Sequence, residues 1–205
     1  MDDWKQKKEK IGRYYGALIA QHGHAPQACD YGRSESQEKK FRVLADVMDL
    51  QGKSVLDVGC GFADFAGFLQ NKFDGVQYNG VDITAEFVAQ AQALYPNCDI
   101  RQLDILSEDP GRSYDLVTAN GIFYLMGDQA EDYMCRLIER MFELCLDAVA
   151  FNSLSAWCED QESGEFYADP VRTVAFCKTL TPWVTLRHDY HSRDFTIYMR
   201  REQIS

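Results

Sequence analysis

The strongest constraint on this chain is a strand that must turn on glycine and restart as a helix, at Ser54 to Phe65, SVLDVGCGFADF. Val55, Leu56 and Val58 form a β-prone apolar run too short for a helix, and Gly59 and Gly61 follow where the chain turns sharply. Glycine there opens backbone conformations closed to other residues and removes a side chain that would block a ligand. The helix expected to begin near Ala63 or Asp64 then brings its N-terminal N–H groups to the same place. Such a junction suits a nucleotide-like cofactor. A dinucleotide fingerprint asks for a third glycine at position 64, where this chain has Asp64, whose charge would face a pyrophosphate. A cofactor without phosphates avoids that conflict, and a nicotinamide-dependent dehydrogenase is disfavoured by it.

Around this junction, strands and helices alternate. Residues 2 to about 22 read as an amphipathic helix with Trp4, Ile11, Tyr15, Leu18 and Ile19 near one stripe. Gly23, Pro26 and Gly32 break the pattern and put Tyr31 and Arg33 on a loop, after which Ser34 or Ser36 can cap a second helix through Phe41, Leu44, Val47 and Met48. Strands are expected near 54–59, 77–82, 98–103, 115–120 and 148–152, with helices at 63–72, 85–95 and through Tyr133 to Leu144. After the polar and aromatic stretch SLSAWCEDQESGEFYADP, Asp169 and Pro170 announce a helix ending near Leu180. WVTLRHDY and DFTIYMR then lie too close together for anything but an antiparallel hairpin. The order predicts an α/β fold in which a mainly parallel sheet carries helices on both faces. We expect one domain over 1–205, with 1–50 forming a helical lid and substrate region and 51–205 the cofactor-binding core.

Composition narrows the partners. The chain has 205 residues, and its 21 basic against 32 acidic side chains give a net charge of −11, which disfavours nucleic acid and anionic membrane surfaces. The opening MDDWKQKKEK has no signal-peptide core, and no run of about 18 apolar residues occurs, so a cytoplasmic protein is expected. Seven cysteines without a C-x-x-C pair suit free thiols, and the pairs His22/His24 and His188/His191 lack the spacing of a zinc site, so no metal is expected.

DVGCGFADF, followed by the acidic strand end in YNGVDIT, resembles the first two motifs of class I S-adenosylmethionine-dependent methyltransferases, with Ala63 replacing the third glycine of the usual D-x-G-x-G-x-G form. The resemblance covers about residues 50 to 200 and implies a Rossmann-like, doubly wound, seven-stranded sheet closed by an antiparallel hairpin. It implies S-adenosylmethionine as cofactor and S-adenosylhomocysteine as product.

Ligands of open parallel sheets sit beyond the carboxyl ends of the strands. Asp57 is placed either to orient the Gly59–Cys60–Gly61 loop or to meet the cofactor's ammonium group. Asp82 follows the second apolar strand, where a carboxylate can accept from both ribose hydroxyls. The resemblance gives Asp104 the adenine amino group, Ile83 and Ile105 the faces of the ring, and Asn120 the methionine portion. Arg33 can offer a bidentate fork to the methionine carboxylate.

Methyl transfer needs a nucleophile in line with the sulfonium carbon, so the protein chiefly positions two ligands and excludes water. Tyr15, Tyr31, Tyr124, Asn152 and Trp157 are the substrate-side candidates, and His188 and His191, after a sixth strand running with the others, are the candidate bases. With no N-P-P-[YF] run and no basic tract, an oxygen or nitrogen of a small-molecule metabolite is the expected acceptor. The alternative is a module that binds the same cofactor without transfer.

Overall fold

The structure is a computed structural model, and it describes residues 2–25, 28, 34–125, 127 and 129–203. Tyr31 and Arg33 therefore lie outside the described residues. Helix α1 (Asp2–His22) and helix α2 (Ser34–Ala45) precede the alternating part. Strand β1 (Ser54–Val58), helix α3 (Asp64–Lys72), strand β2 (Gln77–Asp82), helix α4 (Ala85–Leu94) and strand β3 (Asp99–Gln102) form the first half. Strand β4 (Tyr114–Ala119), helix α5 (Ala130–Leu144), strand β5 (Cys145–Leu154), helix α6 (Pro170–Leu180), strand β6 (Trp183–Arg187) and strand β7 (Asp194–Arg200) complete it.

These strands make one sheet in the order β3-β2-β1-β4-β5-β7-β6. The first five are parallel, and β7 is antiparallel to both β5 and β6, so β6 runs with the parallel set. Fold class, strand count and the closing hairpin agree with the sequence expectation. The main difference is β5, which extends beyond AVAFN in both directions to 145–154. Its extra residues are recruited by neighbours: Cys145 pairs with Tyr114, while Ser153 and Leu154 pair with Phe195 and Asp194.

The period-two alternation of the strands divides the core. Leu56, Val58, Val117, Val149 and Phe151 pack on Leu137, Ile138 and Met141 of α5. Val55, Leu116, Ala148 and Ala150 face the other way, toward Leu44 of α2 and Phe65, Ala66 and Leu69 of α3. The central strands are apolar on both sides because both faces are covered. A third, small cluster of Ile19, Phe62 and Phe87, with Tyr15 against it, docks α1 across the carboxyl edge of the sheet. The far end of that edge is fixed by a buried charge cluster: Lys40 Nζ lies 2.9 Å from one Asp194 oxygen and His191 Nδ1 lies 2.8 Å from the other. Burial pushes Asp194 up, but His191 and Lys40 outweigh it and hold the carboxyl below its ordinary range.

Candidate functional site

Strand order reverses between β1 and β4, and there a cavity opens beyond the strand ends, with about 1070 Å³ of empty space including its mouth. Its wall contains Asp57, Gly59, Cys60, Gly61, Asp82, Ile83, Asp104, Ile105 and Asn120, all named from the sequence as cofactor contacts, together with Tyr15. Trp4, Gln37, Asp64 and the rings of Phe41, Phe62 and Phe87 complete much of the remainder. The sequence reading did not place these six residues among the cofactor or substrate contacts. The signal that marks Trp4 is an indole standing alone among charges in the first turn, DDWKQKK.

The glycine turn is built inward. Gly59 has φ +71°, and a Cβ there would stand 2.4 Å from Ile122 Cγ2, so only glycine lets β1 pass this close to the loop after β4. The N–H groups of Gly59 and Cys60 both donate to Val81 O, and Gly61 N donates to Asp82 Oδ2 at 3.0 Å. Those three N–H groups are thus engaged by β2 and its end. Ala63 occupies the left-handed region, φ 60° and ψ 30°, that the usual third glycine enters freely.

Asp82 is buried, and its second oxygen accepts from Thr84 N at 2.8 Å. Burial raises its pKa, and the Thr84 and Gly61 amides oppose the rise. Asp57 is 3% exposed and accepts the Tyr78 hydroxyl at 2.7 Å. Burial drives its carboxyl up to about 7, with Tyr78 countering and the neighbouring Asp82 charge adding to the rise.

Asp104, at the end of β3, is surrounded by donors. Its Oδ2 accepts from Trp4 Nε1 at 2.8 Å, Lys8 Nζ at 2.7 Å and Ser107 Oγ at 2.8 Å, and Oδ1 accepts from Leu106 N at 3.0 Å. Burial pushes this carboxyl up, and the Lys8, Trp4, Ser107 and Leu106 donors together hold it below its usual range.

Further along α1, the hydroxyls of Tyr15 and Tyr124 lie 2.7 Å apart, joining the helix to the loop after β4. Asn152 is fully buried behind Asn120: its amide donates to Asn120 Oδ1 at 2.5 Å, and its carbonyl oxygen accepts from Gly121 N at 2.7 Å. It positions the wall without forming it. His188, His191 and Trp157 do not line the cavity. His188 Nε2 is 2.8 Å from the buried Ser155 hydroxyl, its ring lies against Trp157, and His191 belongs to the Asp194 cluster. At the roof, Asp64 meets His24 Nε2 at 2.9 Å and Gln37 Nε2 at 3.3 Å. Among the described residues no group of three His, Cys, Asp or Glu side chains is arranged to hold a metal.

Residues 56–147 match a methyltransferase-domain family. A Mycobacterium tuberculosis protein named as a methyltransferase is 27% identical over 158 residues, 72% of this chain and 93% of that one. Residues 56–147 thus carry a methyltransferase domain. Trans-aconitate 2-methyltransferase of Escherichia coli is 29% identical over 98 residues, which span 48% of this methyltransferase and only 39% of that enzyme. The magnesium protoporphyrin IX methyltransferase of Synechocystis, solved with bound S-adenosylmethionine, shares the fold at a TM-score of 0.67 and 14% identity, covering 94% of this chain and 97% of that one. The two names carry different acceptors, trans-aconitate and magnesium protoporphyrin IX, so the shared fold does not set the acceptor.

Among the described residues, no helix of this methyltransferase is long and apolar enough to cross a membrane.

Proposed function

We propose that this methyltransferase moves the methyl group of S-adenosylmethionine to an oxygen or nitrogen of a small-molecule metabolite in the cytoplasm. One observation carries the reading: a single cavity joins the acidic strand ends to an aromatic space under α1 and α2. Asp82 is the candidate acceptor for the ribose hydroxyls and Asp104 for the adenine amino group, with Ile83 and Ile105 beside the ring. Asp57 and Asn120, both in the cavity wall, are the candidates for the methionine portion, and Arg33 is the candidate partner for its carboxylate.

The cavity combines apolar rings with a few convergent polar groups, as small-molecule sites do. Its roof and the net charge of −11 both weigh against a nucleic-acid acceptor. Tyr15 and Tyr124 bring a hydroxyl pair to the acceptor side, suited to orienting an acceptor O–H or N–H. In this reading residues 1–50 are the lid and substrate region over the 51–205 core. Rate enhancement comes mainly from alignment and the exclusion of water, with proton acceptance by His188 or His191 reaching the acceptor only through intervening groups.

The test is S-adenosylhomocysteine formation from S-adenosylmethionine in the presence of fractionated metabolite extract. Product that depends on a low-molecular-weight fraction supports the reading. Product only with an RNA or protein fraction would overturn the choice of acceptor.

A further inference from the structure

The Asp104 end of the cavity is already occupied by the chain itself. Trp4 lines the cavity along with Ile83, Leu103 and Ile105, and its ring is stacked on Tyr133 at a centroid distance of 4.8 Å. An indole is a flat fused bicycle with an N–H donor at its edge, and adenine is a flat fused bicycle with an amino donor at its edge. Both would present that donor to the same carboxylate. Asp104 Oδ2, with two lone pairs, already takes three donors from Trp4, Lys8 and Ser107. Two of the three come from α1, about 100 residues away in sequence.

We propose that Trp4 is a built-in occupant of the adenine subsite, so that S-adenosylmethionine and the first turns of α1 exclude each other at Asp104. The proposal rests on the reading of Asp104 as the acceptor for adenine. Its consequence is that the cofactor must displace Trp4 and Lys8 to enter, and its observed affinity is lowered by the fraction of molecules in which they are seated. Lys8 makes the seat firm, because its ammonium pairs with a carboxylate that is 6% exposed and would otherwise be a buried, unpaired charge.

The experiment is calorimetric titration of the full chain with S-adenosylhomocysteine and with its inosine analogue, in which an oxygen replaces the adenine amino group. Trp4→Ala should tighten S-adenosylhomocysteine binding by roughly tenfold or more, and Trp4→Phe, which keeps a ring but loses the N–H, should tighten it by less. Unchanged or weaker binding in Trp4→Ala overturns the proposal, since the indole would then be a bystander or part of the bound cofactor's wall. The analogue separates this failure from that of the underlying reading. If Asp104 reads the amino group, parent and variant both prefer S-adenosylhomocysteine over the inosine analogue. Equal binding of the two ligands would remove Asp104 from adenine recognition and the proposal with it. A preference without any gain from Trp4→Ala would remove the occupant alone. Fluorescence gives an independent readout in a Trp157→Phe, Trp183→Phe background: the ligand should shift the Trp4 emission to the red as the indole leaves Tyr133, and an unshifted spectrum at saturation contradicts displacement.

Discussion

Replacing Asp57 by Asn should change how stability depends on pH, and the size of the change follows from where the carboxylate sits. Its folded-state pKa, about 7, lies above the ordinary 3.8, so the folded protein holds a proton that the unfolded chain releases. Stability from that proton is complete below pH 3.8 and is lost as the pH rises toward 7. The difference of about 3 units corresponds to about 4 kcal/mol at most, at 1.36 kcal/mol per unit. Asn cannot ionise, and its carbonyl oxygen can still accept the Tyr78 hydroxyl. Relative to the parent, Asp57→Asn should therefore gain about 1.4 kcal/mol per pH unit between roughly pH 4.5 and 6.5 and level off above 7. Urea unfolding of both proteins at pH 5, 6, 7 and 8 measures this. The slope is the test, because any fixed cost of the new amide group is the same at every pH. A difference that does not vary with pH would refute the assignment of the buried proton to Asp57.

Asp82→Ala leaves the Gly61 and Thr84 amides without their acceptor and takes away the proposed ribose contact, so S-adenosylhomocysteine affinity should fall by about tenfold to more than a hundredfold in calorimetry. Gly59→Ala forces a Cβ into Ile122 at a positive φ and should cost about 1–3 kcal/mol in urea unfolding. Lys40→Met removes one partner of the buried Asp194 and should destabilise by about 3 kcal/mol in urea unfolding, less any part that His191 compensates. His188→Asn and His191→Asn should lower the melting temperature more than kcat, since both rings face anchoring partners; a drop in kcat of about two to four orders of magnitude would instead make one of them the base.

The fold was legible because its signals are local. Val55 to Val58, the run to Asp82 and AVAFN are short apolar stretches bounded by glycine or polar turns, and Asp169–Pro170 starts α6 with the Asp169 side chain accepting from Val171 and Arg172 amides. The acidic residues could be placed for the same reason, as Asp82 closes β2 and Asp104 stands two residues past β3. What escaped the sequence depends on partners far away in it. The extension of β5 comes from β4 and β7, the pairing of Lys40 with Asp194 spans most of the chain, and Trp4 meets Asp104 only because α1 crosses the sheet edge. The inward turn of the Gly59–Gly61 amides was equally hidden, since a glycine turn has the same composition whichever way its donors point. Position along the strands brought His188 and His191 to the correct edge of the sheet but not to the cavity wall, because Ser155 and Asp194 hold them elsewhere.

Helix α1 touches the cavity at both ends, through Trp4 and Lys8 at Asp104 and through Tyr15 at Tyr124. Those contacts are separated by about 16 Å of helix at 1.5 Å per residue, with the helix unbroken between them. A rod held at two points acts as a lever, so lifting its first turn strains the Tyr15 contact, and seating an acceptor against Tyr15 fixes where the first turn can go. The order of arrival is then not arbitrary: the cofactor, which has to move the helix, should bind first, and the acceptor should find its place only afterwards. Product-inhibition patterns would show this as a sequential, ordered mechanism, with S-adenosylhomocysteine competing against S-adenosylmethionine and the methylated product leaving ahead of it.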